Sequence, residues 1–443
     1  MSLYSGDDWK LEFLFCTRNA VGIIFIVKMD GFCQKVPGLL EKEQFAEIKI
    51  SFKSKVKTLN QDDIQYFYDL SVNKGLTVVT MLVLKHRIKN ITRISEKFWD
   101  VWIRNTYEFM LNFSGTIPVE LHKQLYSCAV LYGELCAELG RKLPNYFKIA
   151  LKSLNHLLNT TRDKNEITPA HYIVCRLALQ SRKLFGVEDL LNNNYVQVSK
   201  NTGLKGVQIV LFFYYLGSIS LVLKKYSKAY HFYELSITIP SKHVHAACIE
   251  SYKKLVLLRL LIDGTEYHPP RHCNHRFTQV VRSISTEPYT SLSSLFSEFG
   301  KNKLNIDEIH NHLSKHQAVW SSDQNTALIN RLKHSVIKLK IKKLTKVYAS
   351  LSFEQLINET QIPDAQKILI KMVENREISA RIDKKLSLVV FEDVEEDVKV
   401  DEIQNVCEQL IECSEYLERS MVKMSLDQRY LKDLVSMENM QKN

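Results

Sequence analysis

The stretch SVIKLKIKKLTKVYASLSFEQLINETQIPDAQKILIKMVENREISARIDKKLSLVVF, residues 335–391, decides the fold. Ile337, Ile341, Leu344 and Tyr348 recur at helical spacing and mark one face of a helix. Ser352 followed by Gln355 is a capping-box pattern, since each side chain can satisfy a backbone N–H near the other, and it opens a short helix over 353–359. Pro363 suits a first helical position, where no backbone donor is needed, and Ile368, Leu369, Met372 and Val373 give the next helix its buried face. The period then shifts from helical to two. Ile378, Ala380 and Ile382 alternate, Lys384 and Lys385 turn the chain, and Leu386, Leu388 and Val390 alternate again. Three helices closed by a small hairpin predict a winged helix.

Upstream of it the pattern is helical almost throughout. Val78, Val79, Leu82 and Val83, then Phe98, Trp99, Trp102 and Ile103, supply apolar stripes. Leu125, Cys128, Ala129, Tyr132 and Cys136 recur at three- and four-residue spacing, and Ile149, Leu154, Leu157 and Leu158 less regularly. Pro118, Pro144 and Pro169 punctuate these blocks as helix starts. Between Phe213 and Pro240 the small residues Gly217 and Ala229 and the large Tyr233 fall at tetratricopeptide spacing. There the small residues let two antiparallel helices approach, and Tyr233 fills the groove beside them. Ile249, Tyr252, Leu255, Val256 and Leu260 follow as one more apolar face. The region from His268 to Pro288 is a break, with short helices expected around 277–284 and 292–299 before Ile306, Ile309 and Leu313 lead into the winged helix. Residues 1–59 mix apolar clusters with Gly22, Gly31, Pro37 and Gly38 and assign themselves to no repeat.

After the wing, residues 392–397 are acidic and form a solvated linker. Ile403, Cys407, Leu410, Ser414, Leu417, Met421 and Met424 then alternate by four and three, which is a heptad seam. A long amphipathic terminal helix with no second helix to pair with implies a partner.

Composition narrows the functional classes. The chain has 443 residues, 45% hydrophobic and 25% charged, enough for two or three domains, and its 14 Gly and 9 Pro leave few breakers. Nine scattered cysteines with no CxxC pair argue for reduced thiols acting as apolar filler. The apolar run 20–27 is too short to span a bilayer, and acids precede it where a signal peptide carries positive charge. The net charge of +11 concentrates locally, with seven Lys or Arg and no acid from Arg331 to Lys346. In the expected third helix, Lys367, Lys371 and Arg376 are offset by Asp364, Glu374 and Glu377, which is poor for reading phosphates. The basic helix at Lys338 and Lys342 suits an acidic partner segment better, and nucleic-acid binding stands as a runner-up.

Three metal readings are set aside. His310 and His312, with Trp320 and Asp323 behind them, match the H-x-H and Asp spacing of a JAMM-type metalloprotease, but tryptophan holds the serine position and the context is helical. His268, His272, Cys273 and His275 are dense but lack a second ligand pair, and His312–His316 lacks the glutamate of H-E-x-x-H. No phosphate loop or nucleophile elbow is present.

The strings FYYLG (213–217), KAYHFYE (228–234) with Ile237 and Pro240, and ESYKK (250–254) resemble the PCI-domain family. So do Lys315-His316, DQN (323–325), Leu344-Thr345-Lys346 and ENREI (374–378). Within the family the likeness is to the COP-nine signalosome. It covers about residues 60–435 and is strongest over 213–391. The resemblance implies a mainly α protein: a right-handed α-solenoid of TPR-like repeats over 60–303, a PCI winged-helix module over 304–392, and an acidic linker with a C-terminal bundling helix over 393–443. Residues 1–59 stand apart as a divergent N-terminal segment. It also implies a non-catalytic scaffold with no cofactor and no metal, in the cytoplasm and nucleus. Its partners would be other PCI subunits (neighbours one and eight), a JAMM-type metalloprotease subunit and, indirectly, cullin-RING ligases. The equivalent role in the proteasome lid or translation initiation factor three is the alternative. Family members pair winged-helix edges and gather tail helices, so the residues expected at partner contacts are Ile378, Ala380 and Ile382 on the wing, Lys338 and Lys342 on the basic helix, and Leu410, Leu417 and Met421 on the seam.

Overall fold

A computed structural model describes residues 20–56, 61–91, 99–114, 117–161, 166–184, 186–193, 195, 197–199, 201–240, 243–281, 286–300, 306–360, 365–375, 377–383, 387–391, 400–428 and 431. Pro363, Phe98 and the Lys384–Lys385 turn, on which sequence expectations rest, lie outside them. The chain divides into two compact units, residues 1–336 and 337–443.

The first unit is a succession of helices: α1 (Ala20–Glu41), α2 (Phe45–Val56), α3 (Gln61–Asn73), α4 (Thr77–Lys89), α5 (Trp99–Leu111), α6 (His122–Leu139), α7 (Asn145–Thr161) and α8 (Pro169–Ser181). After a two-residue parallel ladder, β1 (Glu166–Ile167) with β2 (Gln197–Val198), come α9 (Gly206–Val222), α10 (Tyr226–Thr238) and α11 (Ala246–Ile262). Then follow α12 (His275–Val281), α13 (Glu287–Gly300), α14 (Ile306–Lys315), α15 (Gln317–Ser322) and the long α16 (Thr326–Val347), within which the division between units falls.

The predicted prolines do start helices. Pro169 occupies the first turn of α8, Thr168 accepts from Ala170 N–H, and the Thr168 N–H donates to His171 Nδ1 at 3.0 Å. One continuous apolar core runs from Phe32 in α1 to Phe232 in α10. The N-terminal helices are part of it: Phe32 and Phe52 both lie against the ring of Phe67 in α3. Six cysteines are buried in the described fold, and burial pushes the Cys128 and Cys136 thiols to about 12, which makes them filler rather than nucleophiles. Among the described residues no helix is long and apolar enough to cross a membrane.

The tetratricopeptide reading holds in detail. α9 and α10 are adjacent; Ala229 and Tyr233 are fully buried, and the Tyr233 and Ser218 hydroxyls share a hydrogen bond of 3.0 Å. A Cβ on Gly217 would lie 2.8 Å from the Tyr233 ring, so only hydrogen fits. Gly217→Val is therefore expected to destabilise the unit by about 2–3 kcal/mol through overpacking, read as a lower urea midpoint of the full chain. An unchanged midpoint would mean the two helices can separate without cost.

In the second unit, β3 (Ser350–Ser352) precedes α17 (Phe353–Thr360), α18 (Ala365–Glu374), β4 (Ala380–Asp383), β5 (Leu388–Phe391) and α19 (Val400–Ser425). The capping box is formed: Ser352 N–H donates to Gln355 Oε1 at 3.1 Å and Gln355 N–H to Ser352 Oγ at 3.2 Å. Ile341, Leu344, Leu351, Leu356, Leu369 and Met372 are among the side chains of the module's own core. With the helix–helix–hairpin arrangement, this is the winged helix.

Three details correct the sequence reading. A third strand, β3, joins the hairpin, giving the order β3-β5-β4 with antiparallel pairing on both sides of β5. On β5 the inward residue is Val389, opposite Leu351 and Ile382, while Val390 is 39% exposed. The expected Leu388/Val390 face is thus shifted by one residue, because four consecutive apolar side chains leave the register to the strand's partners. Tyr348, expected on the buried face of α16, is exposed one residue past its end.

Candidate functional site

The open edge of the wing is built by hydrogen-bond alternation. Phe391 N–H donates to Ala349 C=O, and Phe353 N–H to Ser387 C=O, so residues 387, 389 and 391 turn their backbone groups toward β3. Val390 and Leu388 then face β4 and pair with Arg381 and Asp383. It follows that Ala380 and Ile382 point their N–H and C=O groups away from β5, to an edge on which no strand lies among the described residues. Their side chains pack against the module's core. These two residues hold the edge rigid and present it at once.

Ile378 does not belong with them. It lies two residues before β4, is 8% exposed and is part of the core, so the period-two pattern that selected it is a core contact continued from the strand. On α16, Lys338 is tied to Glu377 at 2.7 Å and is half-buried, while Lys342 is exposed. Burial lowers the pKa of Lys343, the residue after Lys342.

The seam of α19 is open to solvent. Leu410, Leu417 and Met421 are 63%, 55% and 69% exposed, and Ile403, Val406, Ile411 and Met424 are exposed with them. The opposite face carries Glu408, Glu412, Glu415, Arg419 and Lys423, with Arg419 bound to Glu415 at 2.7 Å. A helix of this length, about 39 Å at 1.5 Å per residue, leaves too much apolar area in water to be finished alone.

The metalloprotease spacing dissolves into structural roles. Trp320 is buried in α15 and donates its indole N–H to Leu313 C=O at 3.0 Å. Asp323 accepts from Lys253 Nζ at 2.9 Å and from Tyr289 OH at 2.7 Å. His268 and His272 are exposed, whereas Cys273 turns inward and burial raises its thiol pKa; the side chain of His275 is outside the described residues. No group of three or more metal-ligating side chains converges among the described residues.

That role for Asp323 exposes a feature sequence reasoning missed. The quoted strings ESYKK and DQN, some 70 residues apart, meet in a buried polar network. Lys253 binds Glu250 and Asp323, Lys254 donates to Asn325 Oδ1 at 2.9 Å, Asn325 donates to Tyr289 OH at 2.8 Å, and Tyr289 returns to Asp323. Burial pulls the Lys253 pKa down, but its bonds to Asp323 and Glu250 outweigh that and hold it above the ordinary lysine value. Lys254, facing a neutral amide, is lowered by burial.

Comparison with known proteins joins these observations. A family model described as COP9 signalosome complex subunit 3, N-terminal helical repeats, matches residues 21–275. A second, the PCI domain, matches 310–393. The chain belongs to the COP9 signalosome subunit 3 family. Relatives named COP9 signalosome complex subunit 3 include one from Dictyostelium discoideum, 28% identical over 71% of this chain and 75% of its own length. Another, from Arabidopsis thaliana, is 25% identical over 72% of each. The subunit 3 family match starts at residue 21, well ahead of residue 60 where the likeness is legible by eye, and takes in α1 and α2. It also sets aside the proteasome-lid and initiation-factor alternatives.

Proposed function

We infer that this chain is the third subunit of a COP9 signalosome and acts as a scaffold, not as an enzyme. The match of its repeats to the subunit 3 family over residues 21–275 carries that reading. The whole complex removes a ubiquitin-like modifier from cullins, and we assign that chemistry to its separate JAMM-type metalloprotease subunit. Within the assembly, subunits one and eight are the proposed neighbours, cullin-RING ligases are reached indirectly, and the working compartments are cytoplasm and nucleus.

Contact is proposed at three places. The outward backbone of Ala380 and Ile382 accepts a neighbour's strand, since unpaired edge groups are satisfied by strand addition. The seam of Leu410, Leu417 and Met421 enters a helical bundle. Exposed Lys342, with Lys338 beside it, offers an acidic partner segment a cationic face.

Ala380→Pro tests the edge. It removes one outward donor and leaves the pairs to β5 intact, because Ala380 makes no ladder bond. The expected result is loss of one neighbouring subunit on size-exclusion co-elution, with the variant's own thermal midpoint held. Co-elution of every neighbour at wild-type ratio would overturn strand addition at β4.

A further inference from the structure

Apart from the surfaces the family implies, the repeat unit holds a cavity of about 200 Å3 between the α3–α4 turn and the C-terminal end of α5. Tyr68 and Phe113, both buried, and half-buried Phe109 supply aromatic walls, while exposed Glu108 and Asn112 stand at the mouth. Two hydroxyls on its lining are already engaged: Ser71 donates to the Tyr68 carbonyl and Thr80 to the Leu76 carbonyl, with the two hydroxyl oxygens 3.0 Å apart. Gly75, at φ +65° in the turn, has nothing within 4 Å of where a Cβ would stand, so that side of the mouth is open.

The local field is negative in a chain whose net charge is +11. Burial, and after it the charges of Glu108 and Asp69, push the Tyr68 phenol up to about 12. Lys74, at the end of α3, is bound to Asp30, and among the described residues no ion pair is formed by Glu108. The volume is below the roughly 300–1,000 Å3 of small-molecule sites and suits a single side chain.

We propose that this cavity receives one arginine side chain of a partner protein, its guanidinium held by the Glu108 carboxylate and laid against the rings of Tyr68 and Phe109. Guanidinium is the cation that fits. It is planar, weakly hydrated, stacks on aromatic faces and meets a carboxylate with two donors at once. A phosphate would meet the Glu108 charge, and an apolar side chain would desolvate that carboxylate with no compensating bond. The site is built from other residues than the wing edge, the tail seam and the Lys342 face, so it adds a further point of attachment, selective for a basic residue.

The test titrates the full-length protein with acetyl-Gly-Arg-Gly-amide and with its neutral citrulline isostere, followed by saturation-transfer NMR. The arginine peptide is expected to saturate, with the citrulline peptide at least about tenfold weaker. Glu108→Gln, at an exposed position, is expected to weaken the arginine peptide about tenfold with the thermal midpoint unchanged. Phe109→Leu keeps the wall apolar but removes the ring, and is expected to weaken binding as well. Equal binding of the two peptides, or no loss in either variant, overturns the proposal.

Discussion

Asp323→Ala is expected to destabilise the repeat unit by about 3 kcal/mol, because it takes the more buried of two carboxylates from a buried ammonium. The Lys253 side chain is 8% exposed and that of Asp323 15%, so water cannot replace the lost partner. Glu250 still binds Lys253, but it is 32% exposed and already engaged. The damage extends further, since Tyr289 loses the acceptor of its hydroxyl and Asn325 loses the group that orients its own amide bond to Tyr289. Hydrogen exchange of the full chain should show amides of α11 and α13 losing at least about a hundredfold of protection. The double variant Lys253→Met/Asp323→Leu, which removes both charges, should recover most of that loss. Wild-type protection in Asp323→Ala would mean that the network is solvated and contributes nothing.

Replacing Leu410, Leu417 and Met421 together by aspartate is expected to leave both compact units folded and to abolish incorporation into the complex. All three are more than half exposed, so the chain itself gains nothing from their being apolar. In a helical bundle each would contribute about 2 kcal/mol by burial. Losing three is then worth about four orders of magnitude in affinity, before any penalty for placing charge in an apolar seam. Circular dichroism and the thermal midpoint should match wild type while recovery of bound subunits collapses. Full recovery would show that α19 is not the point of entry.

These two effects also mark where sequence reading succeeds and where it stops. The seam is legible because exposed and buried heptads look the same in one dimension; the four–three spacing alone reveals it. Gly217 against Tyr233, and Ser352 with Gln355, are legible for a similar reason, since each is a local contact at fixed spacing. β3 is three residues with a single apolar side chain, Leu351, and becomes a strand only because β5 runs beside it. α1 contains Gly31, Pro37 and Gly38, which read as breakers, yet Phe32, Cys33 and Val36 bury a face regardless and tertiary packing overrides propensity. The Lys253 network is the deepest omission. Two adjacent lysines read as surface, and only the return of Asp323 and Asn325 from a distant turn makes their burial tolerable.

The most direct measurement is purification of the tagged full-length chain from its own cells under native conditions, with quantitative mass spectrometry of everything that remains bound. The account predicts other PCI-domain subunits of the signalosome and its metalloprotease subunit in near-equal amounts, with cullins below them, and the same set after nuclease treatment. Recovery of proteasome-lid or initiation-factor subunits in their place, or of nucleic acid with no PCI subunit, would contradict it.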